Sequence, residues 1–338
     1  MPKNQSSLHS VLPSGKRPMK ISIAMATYNG ARYLREQLGS FAAQTRLPHE
    51  LIVSDDSSTD DTLRIVQEFA ATAPFEVRFF RNDTKLGYAQ NFGRALERCT
   101  GDLILLSDQD DVWFENKIVA MESYALENRD VQLIMCDAAL TDAELNDTGL
   151  TKLGQIRSAG LDDESFVMGC CCAVRRDLLE MCMPIPVGFC AHDDWIVSFA
   201  IGLNRRHIIE RSLQYYRRHG SNSSEFIANR TRKVSGLSLR FYQARQVLFW
   251  RNPPSIEHAI AQKELLIEGI ENALVSGGRR WREELGAMLT REKSKLSYLR
   301  RRKEIRGKKP IARFCAILRS LFFGEYTGIK SAIRDFFG

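Results

Sequence analysis

Short apolar runs alternate with amphipathic stretches along the first two hundred residues. Residues 21–26 form a continuous apolar run that stops at Thr27-Tyr28-Asn29-Gly30, which predicts a buried strand and a turn. Residues 31–43 then switch to a helical period, with Tyr33, Leu34, Leu38 and Phe41 on one side. The alternation repeats. Strands are expected at 51–54, 77–80 and 103–106, and helices at 59–71 and 88–99. The second strand runs into Asp55-Asp56-Ser57-Ser58 and the fourth into Ser107-Asp108-Gln109-Asp110-Asp111-Val112-Trp113.

Strands separated by helices of this length call for right-handed βαβ units on a parallel sheet, with ligands beyond the carboxyl ends of the strands. Farther on, strands are expected at 133–136, 166–174 and 213–216, with a polar loop over 141–164 and helices at 175–182 and 193–201. From about Ser235 the pattern is helical throughout. The expected organisation is a lead-in without structure over 1–18, an α/β catalytic domain over 19–230 and a basic helical region over 231–338.

Three of the strand ends carry chemistry. Carboxylates at 108, 110 and 111 just past a buried strand are able to converge on a hard divalent cation, Mg²⁺ or Mn²⁺, which takes oxygen ligands and leaves positions open for phosphate. A solvated acidic turn is the plainer reading. A carboxylate at Asp55 or Asp56 suits a base imide or ribose hydroxyls, or else Asp56, Ser57 or Ser58 caps the next helix. The turn after the first strand lacks the G-x-G-x-x-G pattern of dinucleotide sites, so Tyr28 packing on a base is favoured over NAD binding.

Charge divides the chain. From Arg279 onward there are 17 Lys and Arg against 6 Asp and Glu, so a mildly acidic front part meets a strongly basic tail. Trp281, Leu285, Leu289 and Leu299 interleave with arginines, and Phe314, Ile317, Leu318, Leu321 and Phe322 fall near helical spacing beside Lys308, Lys309, Arg313 and Arg319. Such a helix suits an anionic membrane surface, or else packs as a subdomain on the catalytic core or forms an oligomer contact. Nucleic acid is not expected, because no nucleic-acid fold is legible. The 8 Cys form no CxxC pairs, and most of them read as reduced, buried, small apolar residues. The first twenty residues lack a signal-peptide core, so a cytoplasmic enzyme is expected.

In order and wording, these segments resemble the family 2 (GT-A) glycosyltransferases, in particular a bacterial rhamnosyltransferase-like branch. The resemblance rests on residues 21–30, 53–61, Leu86-Gly87-Tyr88-Ala89-Gln90-Asn91-Phe92, 107–113, His192-Asp193-Asp194-Trp195 and 216–222, and covers about two thirds of the chain. It implies a GT-A, Rossmann-like nucleotide-diphospho-sugar transferase sheet followed by C-terminal helices. It implies nucleotide contacts at Thr27, Tyr28, Asn29, Asp55, Asp56, Asn91 and Asp108, and a metal at Asp110 and Asp111 with His219 nearby. Asp193 is implied as general base, with Asp194 the alternate, because on one helix the two side chains point about 100° apart. His192 and Trp195 fall on the acceptor side, although Trp195 also suits the core. The donor implied is a dTDP- or UDP-sugar, including dTDP-L-rhamnose, and the acceptor a saccharide or lipid-linked saccharide of a surface polysaccharide. An inactive nucleotide-sugar-binding scaffold is the competing reading. A nucleotidyltransferase would need a Gly-rich phosphate loop that residues 27–29 do not supply.

Overall fold

A computed structural model describes residues 17–220, 222, 226–249, 255–276, 278–322, 331 and 335. Most of the expected lead-in (1–16) and Ser221 of the 216–222 motif lie outside the described residues. The chain divides into two compact units, Met1–Leu239 and Arg240–Gly338.

The first unit opens with β1 (Ile21–Thr27), α1 (Ala31–Ala42), β2 (Glu50–Asp55), α2 (Thr62–Ala70), β3 (Glu76–Arg81), α3 (Tyr88–Arg98) and β4 (Leu103–Ser107). It continues through β5 (Val112–Trp113), α4 (Lys117–Glu127), β6 (Leu133–Thr141), β7 (Asp147–Thr151), α5 (Lys152–Ser158), β8 (Cys172–Arg175), α6 (Arg176–Cys182), α7 (His192–Gly202) and β9 (Arg206–Arg217). One sheet holds all nine strands in the order β3-β2-β1-β4-β8-β6-β9-β5, with β7 on β6. Strands β3, β2, β1 and β4 are mutually parallel. Ile21, Ile23 and Met25 of β1, Leu51 to Val53 of β2 and Leu103 to Leu106 of β4 are fully buried. Burial of each such side chain stabilises the sheet by about 1.5–3 kcal/mol. The chain reverses direction across the sheet at β1, which has β2 on one side and β4 on the other, and so opens a crevice at their carboxyl ends.

The sheet is mixed rather than wholly parallel. Strand β8 runs antiparallel to both β4 and β6, and β5 antiparallel to β9. The expected strand over 166–174 is mostly absent: 3₁₀ turns at Asp163–Ser165 and Gly169–Cys171 precede the short β8. Lys117 Nζ holds the Cys170 carbonyl at 2.8 Å and Asp193 holds the Gly169 N–H at 3.2 Å, which takes this backbone out of the ladder. The expected polar loop contains β7 and α5. Thr151 Oγ1 caps α5 by accepting from the Gly154 N–H, and Leu153 and Ile156 bury its inner face.

The second unit is helical where described. Helix α8 (Gly236–Phe249) crosses into it, followed by α9 (Ile256–Ser276), α10 (Arg282–Arg306) and α11 (Pro310–Phe322). Ion pairs Lys303–Glu257, Arg300–Glu264 and Lys293–Glu271 run in opposite chain order along α10 and α9, so the two helices lie antiparallel. Ile317 and Leu321 of α11 pack on Ile305 and Tyr298.

Candidate active site

The nucleotide-side residues converge at the ends of β1 and β2. Thr27 Oγ1 donates to Asp55 Oδ1 at 2.9 Å, across paired strands. Asp55 also accepts from the Ser58 hydroxyl and the Ser58 N–H, so it ties its own turn. Asp56 accepts from the N–H groups of Leu86 and Gly87 at 2.7 and 2.9 Å and from Asn82 Nδ2. Neither aspartate caps α2: that helix begins at Thr62, whose N–H is bonded by Asp60 instead. Asn91 reaches from α3 to the Thr27 carbonyl at 3.2 Å and to Asn82. Asn29 takes a positive φ of 46°, and its side chain accepts from the Thr59 N–H. Tyr28 is 41% exposed, and Lys85 Nζ lies 3.6 Å over its ring.

Gln109 was not singled out by sequence. Its amide donates to the Tyr28 carbonyl and accepts from the Tyr28 N–H, clamping the β1 turn to the β4 turn. The clamp passes across Gly30, where a Cβ would stand 2.3 Å from Gln109 Oε1.

The acidic cluster lies at the end of β4. Asp110 Oδ2 is 2.7 Å from His219 Nε2. Asp111 is fully buried and turns away from that pair, accepting from Gln214 Nε2 at 3.0 Å and from the Arg217 N–H at 3.2 Å. Among the described residues, the three side chains within 4.8 Å of one another that offer metal-binding atoms are Asp108, Asp111 and Cys170. The expected trio of Asp110, Asp111 and His219 is therefore divided, and Asp108 stands beside Asp111. Burial, then the charges of Asp110 and Asp193, lift the Asp108 carboxyl to about 7. Burial and the neighbouring Asp110 and Asp108 push Asp111 up as well. Burial also keeps the Cys170 thiol protonated.

Two further residues hold this loop; Arg217 lies within the 216–222 motif but was given no role by sequence, and Gln214 was not singled out, since their partners are remote. Arg217 donates from Nε to the Asp110 carbonyl at 2.8 Å and pairs with Glu36. Gln214 bridges Asp111 and Cys170 and accepts from Lys117.

The start of α7 supplies the fourth side. Asp193 is partly buried and turns its carboxylate to the Gly169 N–H, while Asp194 is exposed and gives its N–H to Asp193 Oδ1. Burial, then Cys190, Asp193 and Asp194, push the Tyr88 hydroxyl up to about 12. His192 is buried and stacks on Phe92 with centroids 3.7 Å apart. Trp195 is a correction to the acceptor-side expectation. It is 1% exposed, packs on Phe189 and Phe199, and donates its indole N–H to the Cys182 carbonyl, so it belongs to the core.

The family model for Glycosyl transferase family 2 matches residues 22–182. An uncharacterized glycosyltransferase of Nostoc sp. is 29% identical over 227 residues, which cover 63% of this chain and 69% of that protein. The dTDP-rhamnosyl transferase RfbG of Shigella flexneri is 29% identical over 214 residues, 59% of this chain and 72% of that protein. Residues 22–182, just under half of the chain, are thus a segment of glycosyltransferase family 2 type. The fold agrees. S. aureus TarS 1–349, solved with UDP-GlcNAc, superposes with a TM-score of 0.52 at 17% identity, over 94% of this chain and 89% of that one.

The donor set of this glycosyltransferase fits a divalent cation. Three carboxylates crowd one strand end, two of them raised by burial and then by the neighbouring Asp110, and a cation beside them would offset that charge. Asp108 and Asp111 would hold it, with Asp110 and His219 adjacent.

Proposed function

We propose that this glycosyltransferase moves a hexose, with inversion, from a dTDP- or UDP-sugar to a saccharide acceptor during synthesis of a bacterial surface polysaccharide or lipopolysaccharide. The observation that supports the reading is that segments 27–29, 55–56 and 108–111 are joined by side-chain bonds at the carboxyl ends of β1, β2 and β4, with Asp193 tied to the 169–171 turn beside Asp108 and Asp111. Asp193 is near enough to Asp108 for its charge to raise that carboxyl. The similarity to a dTDP-rhamnosyl transferase supports dTDP-L-rhamnose as the donor.

In this reading Thr27, Tyr28 and the β2 turn receive the nucleoside. Lys85 leaves the face of Tyr28 when the base packs there. Asp193 accepts the proton of the acceptor hydroxyl as that oxygen attacks the anomeric carbon, and the bond to the diphosphate breaks in the same step. A bound Mg²⁺ or Mn²⁺ supplies charge stabilisation for the departing diphosphate. Arg217 and His219 keep the 108–111 loop in place for it. Calorimetry with UDP- and dTDP-sugars, with and without Mn²⁺, tests the proposal. Metal-dependent binding of at least one of them is expected, and indifference to all of them overturns it.

In this reading the reaction runs at the inner face of the plasma membrane, with α11 as the contact. Among the described residues no helix is long and apolar enough to cross a membrane. Ile311, Phe314 and Leu318 are 82%, 48% and 50% exposed, at spacings of three and four along α11. Lys308, Lys309 and Arg313 stand close in sequence, a charge pattern complementary to anionic lipid.

A further inference from the structure

With Trp195 in the core, the aromatic ring that lies open beside Asp193 is Tyr88. It is the first residue of α3 and is 50% exposed, against 1% for Trp195. A half-open aromatic is an ordinary surface feature by itself. Tyr88 differs in that three chain segments fix its place.

The first is the turn before it. Asp56 accepts from the N–H groups of Leu86 and Gly87, and Gly87 takes a φ of 84°, which a side chain would strain. The start of α3 is thereby pinned to the β2 turn. The second is the segment leading into α7: Gln90 donates to the carbonyls of Ile185 and Pro186 at 3.3 and 3.1 Å, which ties that segment to α3. The third is the start of α7. The Tyr88 and His192 rings meet at 77° with centroids 6.1 Å apart, and His192 is stacked on Phe92, one turn along α3. Asp193 is the next residue, near enough for its charge to act on the Tyr88 hydroxyl. Tyr88 therefore joins the nucleotide-side turn to the carboxylate proposed as base, with half of its surface open.

We propose that Tyr88 is a specificity residue for the acceptor: its open ring packs against the C–H face of the pyranose whose hydroxyl Asp193 deprotonates. A pyranose carries C–H groups on its ring faces and hydroxyls at its rim, which suits an aromatic body with a polar tip. Burial, then Cys190, Asp193 and Asp194, push the phenol up to about 12, so it stays protonated and donates to a rim oxygen. The inference rests on the glycosyltransferase reading with Asp193 as base, and it adds the class of acceptor that the site selects.

The test compares wild type with Tyr88→Leu, Tyr88→Phe and Tyr88→Trp. Transfer is followed from the nucleotide sugar that wild type turns over to the best of a panel of methyl hexopyranosides, and nucleotide-sugar affinity is measured separately by calorimetry. Tyr88→Leu removes the ring and should raise the acceptor KM about tenfold, with the effect in KM rather than kcat. Tyr88→Phe keeps the ring and loses one hydrogen bond, for a rise of about threefold. Tyr88→Trp should stay nearer wild type than Tyr88→Leu does. Nucleotide-sugar affinity should be that of wild type in all three. An unchanged acceptor KM in Tyr88→Leu overturns the inference. So does a fall in kcat at constant KM, which would make Tyr88 a support for Asp193, or a nucleotide-sugar affinity that weakens in step with KM, which would put Tyr88 on the donor side. Equal impairment of Tyr88→Phe and Tyr88→Leu would assign the effect to the hydroxyl and overturn the ring's role. A wild-type chain that neither hydrolyses nor transfers any nucleotide sugar overturns the underlying reading, whereas a fully active Tyr88→Leu overturns this inference alone.

Discussion

Gln109 holds Tyr28 by both backbone groups, accepting from its N–H at 2.9 Å and donating to its carbonyl at 3.1 Å. The end of β1 and the end of β4 are thereby locked in one register, although 81 residues separate the pair in sequence. Gln109→Ala removes both bonds at a partly open position and should cost about 1–2 kcal/mol of stability. The larger effect is expected on function, because the nucleoside turn and the acidic turn then move independently. Calorimetry should show nucleotide affinity reduced about tenfold. Unchanged affinity would mean that the clamp serves the fold alone.

Asp193 and Asp194 are separated by their surroundings. The first is partly buried against Gly169; the second is exposed on the next helical position. Asp193→Asn should leave metal-dependent nucleotide binding in place and lower turnover by roughly 10²–10⁴-fold, whereas Asp194→Asn should lower it much less. Wild-type turnover in Asp193→Asn, measured as nucleotide release, removes Asp193 from the base role.

The raised carboxyl of Asp108 makes a prediction for stability without metal. Its ordinary value is 3.8, and burial with Asp110 and Asp193 lifts it to about 7. Between those values the folded chain holds a proton that the unfolded chain has released. Stability from this group is therefore fully present below about pH 4 and is lost as pH rises through 7. In chelator, Asp108→Asn should melt a few degrees above wild type at pH 8, with the gap closing toward pH 4. An equal gap at both pH values would show that the carboxyl is not raised.

Trp195 separates a packing role from an acceptor role. Its indole N–H is 2.6 Å from the Cys182 carbonyl and its ring is enclosed. Trp195→Phe should cost about 1–2 kcal/mol in thermal or chemical unfolding and leave the acceptor KM within about twofold of wild type. A tenfold rise in that KM would return the residue to the acceptor pocket.

How much of this was legible in the sequence depends on the range of the forces involved. Strands β1, β2 and β4 were readable because all three are short apolar runs ending in polar turns, and α1 because Tyr33, Leu34, Leu38 and Phe41 share one face. The 169–171 turn was not readable. Three adjacent cysteines look the same to hydropathy whether they pair in a sheet or sit in a buried turn. What decides the matter is Lys117, 53 residues away, bonding the Cys170 carbonyl. Strand β5 has two residues, too few to show a period. The acidic residues of the site were visible as types. The division of Asp110 to His219 and of Asp111 to Gln214 depends on contacts made more than a hundred residues along the chain.

The tail can be tested apart from the chemistry. Several of its cations are engaged within the helical unit, as Arg300 is with Glu264, Lys303 with Glu257, and Arg302 with Asp335. The charge count from Arg279 onward therefore overstates what a membrane would meet. Lys308, Lys309 and the apolar trio of Ile311, Phe314 and Leu318 are exposed at one end of the unit. Apolar insertion and charge should both contribute, so neither Ile311→Ser with Leu318→Ser nor Lys308→Glu with Lys309→Glu should bind vesicles as the parent does. Co-sedimentation of the full chain with vesicles of phosphatidylcholine alone and with phosphatidylglycerol added reads both terms. The parent should pellet with the anionic vesicles only and be released by high salt, since each exposed lysine near the surface contributes about 1 kcal/mol at low ionic strength. Equal pelleting of parent and both double variants would move the contact away from α11, and no pelleting of the parent would remove the membrane from the account.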